Sequence, residues 1–278
     1  MASVLKLSDA EHDALAARLH RAIHAGQGID PPSETIDYSF EDAYRIRRKL
    51  VDRLIADGGK PRGHKIGFTS EAMQKMYGMT GPDFGILLDN MFAPASQPVR
   101  VSHLSNTRAE PELAFELARP LSGPGVTLEQ AIAATSRVWA AIEVIDSRVG
   151  AMRAKANDSL ADNAGAGWVV LGGIPLDPKS LALDRIEIAM EVDGNRQQAM
   201  SGDVMGHPAA PLAWLANKLP ELNGLGGALQ AGDIVITGAP IRSVAGQAGS
   251  RVQASFCALG AFDLGSAGGA AEDERGGG

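Results

Sequence analysis

"TRAEPELAFEL" at residues 107–117 sets Glu110 and Glu112 either side of Pro111, just ahead of an apolar run. Side chains alternate faces along a strand. Read as a strand, this segment carries Glu110, Glu112, Ala114 and Glu116 on one face and Pro111, Leu113, Phe115 and Leu117 on the other. The apolar face requires a core. The acidic face, taken alone, fits either solvent or an interior that uses carboxylates. A second stretch, "VWAAIEVIDSRV" at 138–149, shifts that balance. Glu143 has Ala141, Ile142, Val144 and Ile145 around it, which implies burial on both sides of its strand. A buried carboxylate without a partner costs several kcal/mol or stays protonated, so Glu143 needs a cation. Arg148 can supply one as a structural ion pair. A divalent metal shared with Glu110 and Glu112 is the other reading. Three carboxylates with positions left open suit Mg²⁺ or Mn²⁺, which prefer six oxygens and keep several waters. The residues alone leave both readings standing.

The 278-residue chain is long enough for one large domain or for a core with an attached smaller lobe. Its composition is that of an ordinary soluble globular protein, and the formal charge of -7 comes with no Lys/Arg run, which argues against a nucleic-acid surface. No apolar run approaches the length of a membrane span, and the first residues carry no signal-peptide pattern. A cytoplasmic location is therefore expected. The single cysteine, Cys257, fits a reducing compartment and reads as a small buried hydrophobe in a strand over 251–258.

The first part of the chain reads as helical. "SDAE" at 8–11 is a capping box, followed by Leu15, Leu19 and Ile23 at helical spacing and closed by Gly26. Ser39 caps a second helix with Phe40, Ala43, Ile46, Leu50 and Leu54 on one face, and "RIRRK" reads as its solvated face. "GHKIGFTS" at 63–70 predicts a short strand, and "SEAMQKMYG" a short helix capped by Ser70 and stopped by Gly78. From about residue 98 the pattern is mostly β, with strands expected at 110–117, 141–147, 168–172, 186–193, 233–237 and 251–258. Asp193-Gly194 marks a hairpin turn. Helices are expected at 127–140 and 208–219. The division is a helical α/β portion at 1–97 packed on a β-rich core at 98–264, with a disordered tail at 265–278.

Phosphate-loop, dinucleotide, zinc-protease and nucleophile-elbow motifs are all missing. The six histidines show no ligand spacing. His64 lies near the candidate chemistry without an assigned role. Lys65 in "GHKIGF" reads by itself as a strand-end lysine reaching for water, and Asp83 in "GPDFG" as a plain turn aspartate.

In combination, "GHKIGFTSEAMQKMYG", "GPDFGILLDNMF", "AEPELAFEL", "AIEVIDSRV", "LADNAGAGWVVLGG" and "GHPAAPLAWLANKL" resemble, in this order, the 2-keto-4-pentenoate hydratase family, which also holds 2-oxohept-3-enedioate hydratases and 4-oxalocrotonate decarboxylases within the fumarylacetoacetate hydrolase superfamily. The likeness covers roughly residues 5–262. It implies an α+β fold: a β-rich mixed-sheet roll with an N-terminal helical α/β portion. It implies Glu110, Glu112 and Glu143 as ligands of Mg²⁺ or Mn²⁺, Lys65 and Asp83 as acid/base groups, and Thr237 in "ITGAP" as a contact to a substrate carboxylate. The implied activity is a lyase reaction of aromatic hydrocarbon catabolism: water added to a 2-hydroxy-2,4-dienoate, giving a 4-hydroxy-2-oxo acid. Decarboxylation of 2-oxo-3-hexenedioate is the runner-up, and a non-catalytic subunit that binds or channels 2-oxo acids is the third reading. A homo-oligomer and a complex with a neighbouring pathway enzyme are further expectations. "DNAGAG" at 162–167 departs from the common "DNASSG", so Gly165 lacks a hydroxyl that could meet substrate.

Overall fold

A computed structural model describes residues 5–95, 99, 106–150, 153–222, 228–245 and 250–265. In chain order the main elements are α1 (Asp9–Ala25), α2 (Phe40–Ala56), β1 (Pro61–Gly67), α3 (Glu71–Met76), β2 (Asp83–Leu88), β3 (Phe92–Pro94), β4 (Thr107–Leu117), α4 (Leu128–Ala134), β5 (Thr135–Asp146), α5 (Ala156–Ala161), β6 (Trp168–Leu176), β7 (Glu187–Val192), β8 (Asn195–Met200), α6 (Ala210–Lys218), β9 (Ile234–Ile236), β10 (Val244–Ala245), β11 (Arg251–Phe256) and β12 (Gly260–Gly265). The starts are set by local chemistry. Ser8 and Ser39 each close a capping box, with Glu11 and Asp42 as the reciprocal partners. Ser70 and Thr127 accept from the third helical N–H of α3 and α4. Asp193 and Gly194 both take positive φ, as a tight hairpin between β7 and β8 requires. No described helix is long and apolar enough to cross a membrane.

The larger sheet runs β2-β1-β9-β4-β5-β6-β3, with β10 also paired to β4, and the smaller runs β12-β11-β7-β8. Parallel pairs (β1 with β9, β3 with β6) stand among antiparallel ones, so the α+β mixed-sheet expectation holds. One face of the larger sheet presents Leu113, Phe115, Val138 and Ile142 to a core shared with Ile188, Met190 and Phe256 of the smaller sheet and with α6. The opposite face carries its own layer, in which Ala114, Ala141, Val169 and Ile236 are buried. The acidic side of β4 therefore looks into the protein and not into water. The small side chains of that layer leave room for it. Helices α1 and α2 bury Leu15, Leu19, Ile46 and Leu50 in a third cluster that includes Leu88 of β2 and Leu160 of α5. Pro111 is tolerated in β4 because β9 covers only Ala114–Glu116 and β10 only Arg108–Ala109 of that side, so the missing N–H falls where neither strand pairs.

Four readings change. The helix expected over 127–140 ends at Ala134, because the β4 register needs Thr135 opposite Leu117 and Val138 opposite Phe115, and the β-favouring Thr, Val and Trp side chains comply. Cys257 is exposed, since β11 ends at Phe256 and residue 257 begins the turn into β12. "RIRRK" is not uniformly solvated: Arg47 is buried, donates to the Phe84 carbonyl at 2.6 Å and lies 3.9 Å from the Phe84 ring centroid. It stands one turn from Ala43 and Leu50, on their face. Phe40, placed by its spacing on that same face, is 45% exposed at the first position of α2. The tail expected to be disordered lies, beyond Gly265 of β12, outside the described residues.

Candidate metal centre

Strands β4 and β5 run antiparallel with Glu110 directly opposite Glu143, and Glu112 two residues farther along the same face, opposite Ala141. Oxygen atoms of the three carboxylates lie within 4.8 Å of one another. Glu112 and Glu143 are buried and Glu110 is half-buried. The fold thus gathers the acids by register alone, without a specialised loop.

Lys65 enters from β1, three strands from β5 in the same sheet. It is 4% exposed, so it does not reach for water. Its Nζ sits 2.8 Å from Glu143 Oε1 and donates to the Ala164 carbonyl at 3.0 Å. The cation beside Glu143 is therefore Lys65. Arg148, the alternative partner, is committed elsewhere: its Nε pairs with Asp162 at 2.8 Å, and its Nη1 donates to the Ala166 carbonyl. Asp83 opens β2 opposite Gly67 of β1 and is buried. A side chain at Gly67 would come within 2.6 Å of Asp83 Oδ1, so glycine there makes the space that the carboxyl fills.

Thr237 is not gathered with the acids in the same way. Its hydroxyl donates to the Leu113 carbonyl at 3.3 Å, and the next residue makes the contact: Gly238 N–H donates to Glu112 Oε2 at 2.6 Å. Gly238 holds φ +91 and a Cβ there would meet Thr69 at 2.6 Å, so glycine is required for this approach. Sequence reasoning missed Gly238, Asn163 and Ala164. The Asn163 side chain accepts from the Ile86 N–H and donates to the Ile86 carbonyl, which locks the "DNAGAG" turn onto β2. Three consecutive residues, Asn163 to Gly165, take positive φ, and this tight left-handed turn aims the Ala164 carbonyl at Lys65. The signal was the Asn-Ala-Gly run itself, since Asn and Gly tolerate that conformation best. His64 points to the other face of β1, 6.1 Å from the Phe84 ring.

Charge is out of balance here. Burial and the neighbouring Glu143 push Glu110 up to about 7, and the same causes hold Glu112 well above the usual carboxylate range. Burial pushes Asp83 up to about 6, against the pull of Lys65 and Arg47. A buried lysine ordinarily loses basicity. Burial does oppose its charge, but Glu143, Glu110 and Asp83 together outweigh it and its pKa is raised. One lysine faces three glutamates. Among the described residues, Glu112 Oε1 and Glu143 Oε2 are buried without a hydrogen-bond donor. Buried oxygens with no donor and excess negative charge fit a hard divalent cation held by oxygen ligands. Neutralising the acids with such an ion would remove what keeps the proton on Lys65.

The turn that carries Ala164 can be tested. A Cβ at Gly85 would stand 2.4 Å from the Asn163 carbonyl oxygen and 3.1 Å from Lys65 Cγ. Backbone cannot yield as a flexible side chain would. Gly85→Ala should lose about 1–3 kcal/mol of stability, the usual penalty of overpacking, and lose turnover in the folded fraction. Denaturant melts paired with rates per folded molecule decide this. An unchanged melt and rate would mean that the turn relaxes freely and does not position Lys65.

Residues 68–264 match the fumarylacetoacetate hydrolase C-terminal family. The chain is 38% identical over 240 residues to a 2-hydroxyhexa-2,4-dienoate hydratase of Comamonas testosteroni, covering 84% of this chain and 89% of the relative. It is 36% identical over 261 residues to a 2-oxo-hept-4-ene-1,7-dioate hydratase of Escherichia coli, covering 90% and 96%. Among solved structures, 4-oxalocrotonate decarboxylase from Pseudomonas putida G7, complexed with magnesium and adipate, superposes with a TM-score of 0.90 at 29% identity, over 95% of this chain and all of the other.

Proposed function

The chain belongs to the fumarylacetoacetate hydrolase C-terminal family, and from that premise we propose that it is a divalent-metal-dependent hydro-lyase adding water to a 2-hydroxy-2,4-dienoate. The observation that carries the proposal is the buried cluster of Glu110, Glu112 and Glu143 with Lys65 against it. Glu110, Glu112 and Glu143 would hold the ion, and we propose Mg²⁺ or Mn²⁺ because every ligand in the cluster is a carboxylate oxygen. When bound, such an ion supplies Lewis-acid polarisation of a 2-oxo acid gripped through its carboxylate and the adjacent oxygen.

The remaining work falls to side chains. Conversion of the dienol needs a proton delivered at C5 as the 2-hydroxyl proton leaves, giving the conjugated ketone. Water then adds at C4 and a proton is placed at C3. Asp83, pushed by burial to about 6, exchanges protons readily near neutral pH. Lys65 holds its proton against Glu143 and the Ala164 carbonyl and so is aimed at whatever the glutamates hold. These two groups are proposed as the proton carriers. Thr237 is proposed to meet a substrate carboxylate only after releasing the Leu113 carbonyl, which makes it the weakest member of the set. The apolar layer of Ala114, Ala141, Val169 and Ile236 lines the same face of the sheet and would exclude bulk water.

Decarboxylation is the second reading, favoured by the 0.90 TM-score to 4-oxalocrotonate decarboxylase. It uses the same electron sink and differs in the group that leaves. The pure protein should bleach the ultraviolet band of 2-hydroxypenta-2,4-dienoate and incorporate oxygen from labelled water into a 4-hydroxy-2-oxo acid. Turnover confined to 2-oxo-3-hexenedioate with release of CO₂ would establish the second reading. Binding of 2-oxo acids without turnover of either would leave a carrier subunit. The proposal extends to a cytoplasmic homo-oligomer and to a chain in which 1–97 docks on 98–264; the pairing of β1 with β9 in one sheet supports the docking alone.

A further inference from the structure

Three side chains converge where α1 and α2 end. His20 and His24, read from the sequence as lacking ligand spacing, stand one turn apart on α1, a separation at which two helical histidines share an ion, and meet Asp57, the residue that caps α2. His20 Nε2 lies 2.6 Å and His24 Nε2 2.9 Å from the same oxygen, Asp57 Oδ2, and the two ring nitrogens are 3.1 Å apart. The side chains are 20%, 57% and 40% exposed, so an ion reaches the triangle directly from solvent.

Hydrogen bonds alone satisfy this triangle poorly. With Asp57 ionised, both edges to its oxygen require a proton on each Nε2, and the two N–H groups then face each other. With one Nε2 bare, that nitrogen turns a lone pair toward either the carboxylate or a shared proton, and one edge is left unmade. A cation at the centre accepts all three lone pairs together. Ligands about 2.0–2.1 Å from a tetrahedral ion stand about 3.3 Å apart; the His20–His24 and His24–Asp57 edges, at 3.1 and 2.9 Å, are within a few tenths of an ångström of that, and the 2.6 Å His20–Asp57 edge has to open by about 0.7 Å to admit the ion. Imidazole nitrogens select borderline first-row ions over Mg²⁺. The triangle shares no residue with the glutamate cluster, whose donors are all oxygen.

We propose that His20, His24 and Asp57 form a second metal site, specific for a borderline divalent ion such as Zn²⁺, that staples the C-terminal end of α1 to the C-terminal end of α2. Asp57 supplies the one anionic ligand and sets the net charge of the site. The remaining position on the ion is left to water, so the ion exchanges freely and the site adds stability without taking part in turnover.

Zn²⁺ titration of the protein in excess Mg²⁺, followed by calorimetry and thermal melting, tests this. Wild type should take up a Zn²⁺ equivalent and melt higher with it. His24→Ala removes a half-exposed ligand and should fold normally, yet weaken that equivalent at least about tenfold, the lower bound for disturbing a metal's supporting groups. It should also lose the melting shift while keeping Mg²⁺-dependent turnover. Asp57→Asn keeps the shape, loses the anionic ligand and should behave alike. No Zn²⁺ uptake by wild type, or equal uptake and equal melting shifts in wild type and both variants, overturns the proposal.

Discussion

Glu143→Gln is expected to weaken Mn²⁺ or Mg²⁺ binding at least about 100-fold while leaving a folded chain, since losing a ligand exceeds the 10–100-fold effect of disturbing the groups around one. The amide matches the carboxylate in size, so the packing beside Val169, its cross-strand neighbour on β6, survives. What disappears is one of the anionic oxygens that the register of β4 and β5 brings together. The buried Lys65 ammonium keeps the Ala164 carbonyl as a partner and can still donate to the amide oxygen. Turnover should fall with metal occupancy. Calorimetric titration with Mn²⁺, beside circular dichroism on the same preparation, is the measurement. If the affinity is unchanged, Glu143 serves only as the counter-ion of Lys65, and the cluster is a structural ion-pair network.

Lys65→Ala should lower kcat and kcat/KM together by ~10²–10⁴-fold, the range for loss of a positioned proton carrier. The carboxylates that would hold the metal are untouched, so Mn²⁺ affinity should hold or rise once the competing ammonium is gone. Oxalate, which mimics the chelating end of a 2-oxo acid, should still bind, somewhat more weakly for want of one positive charge. Truncation also leaves a void beside Gly85 and an unpaired Glu143, so folding needs a control. Lys65→Met keeps most of the stem volume and removes only the ammonium. It should restore stability without restoring turnover. A kcat within about threefold of wild type in the folded variants, well below that range, would make Lys65 a buried structural partner of Glu143 and nothing more.

The division between what the residues disclose and what they conceal follows physical range. The capping box at Ser8, the cap at Ser39, the hairpin at Asp193-Gly194 and the alternation around Glu112 act within a few residues, and each is met in the structure. The burial of Glu143 was legible because its neighbours are apolar on both faces. Its cation was not. Arg148 is near in sequence but is held by Asp162, whereas Lys65 reaches Glu143 across β9 and β4, an arrangement only the sheet order creates. Arg47 was hidden by a run of like charges, although its place one turn from Ala43 set it on the inner face. Cys257 was misplaced because alternation continues past Phe256 in the sequence while the strand does not. Gly238 was invisible for a further reason: its contribution is a backbone N–H, and no side chain advertises it.

The most direct test of the central claim, that Glu110, Glu112 and Glu143 hold an ion on which hydration depends, is the ultraviolet progress curve of 2-hydroxypenta-2,4-dienoate with protein stripped by chelator and then resupplied with metal. The account predicts that decay of the dienol band falls to the uncatalysed rate after stripping and returns on adding Mg²⁺ or Mn²⁺ to wild type but not to Glu143→Gln. Full-rate turnover by verified metal-free protein would contradict it.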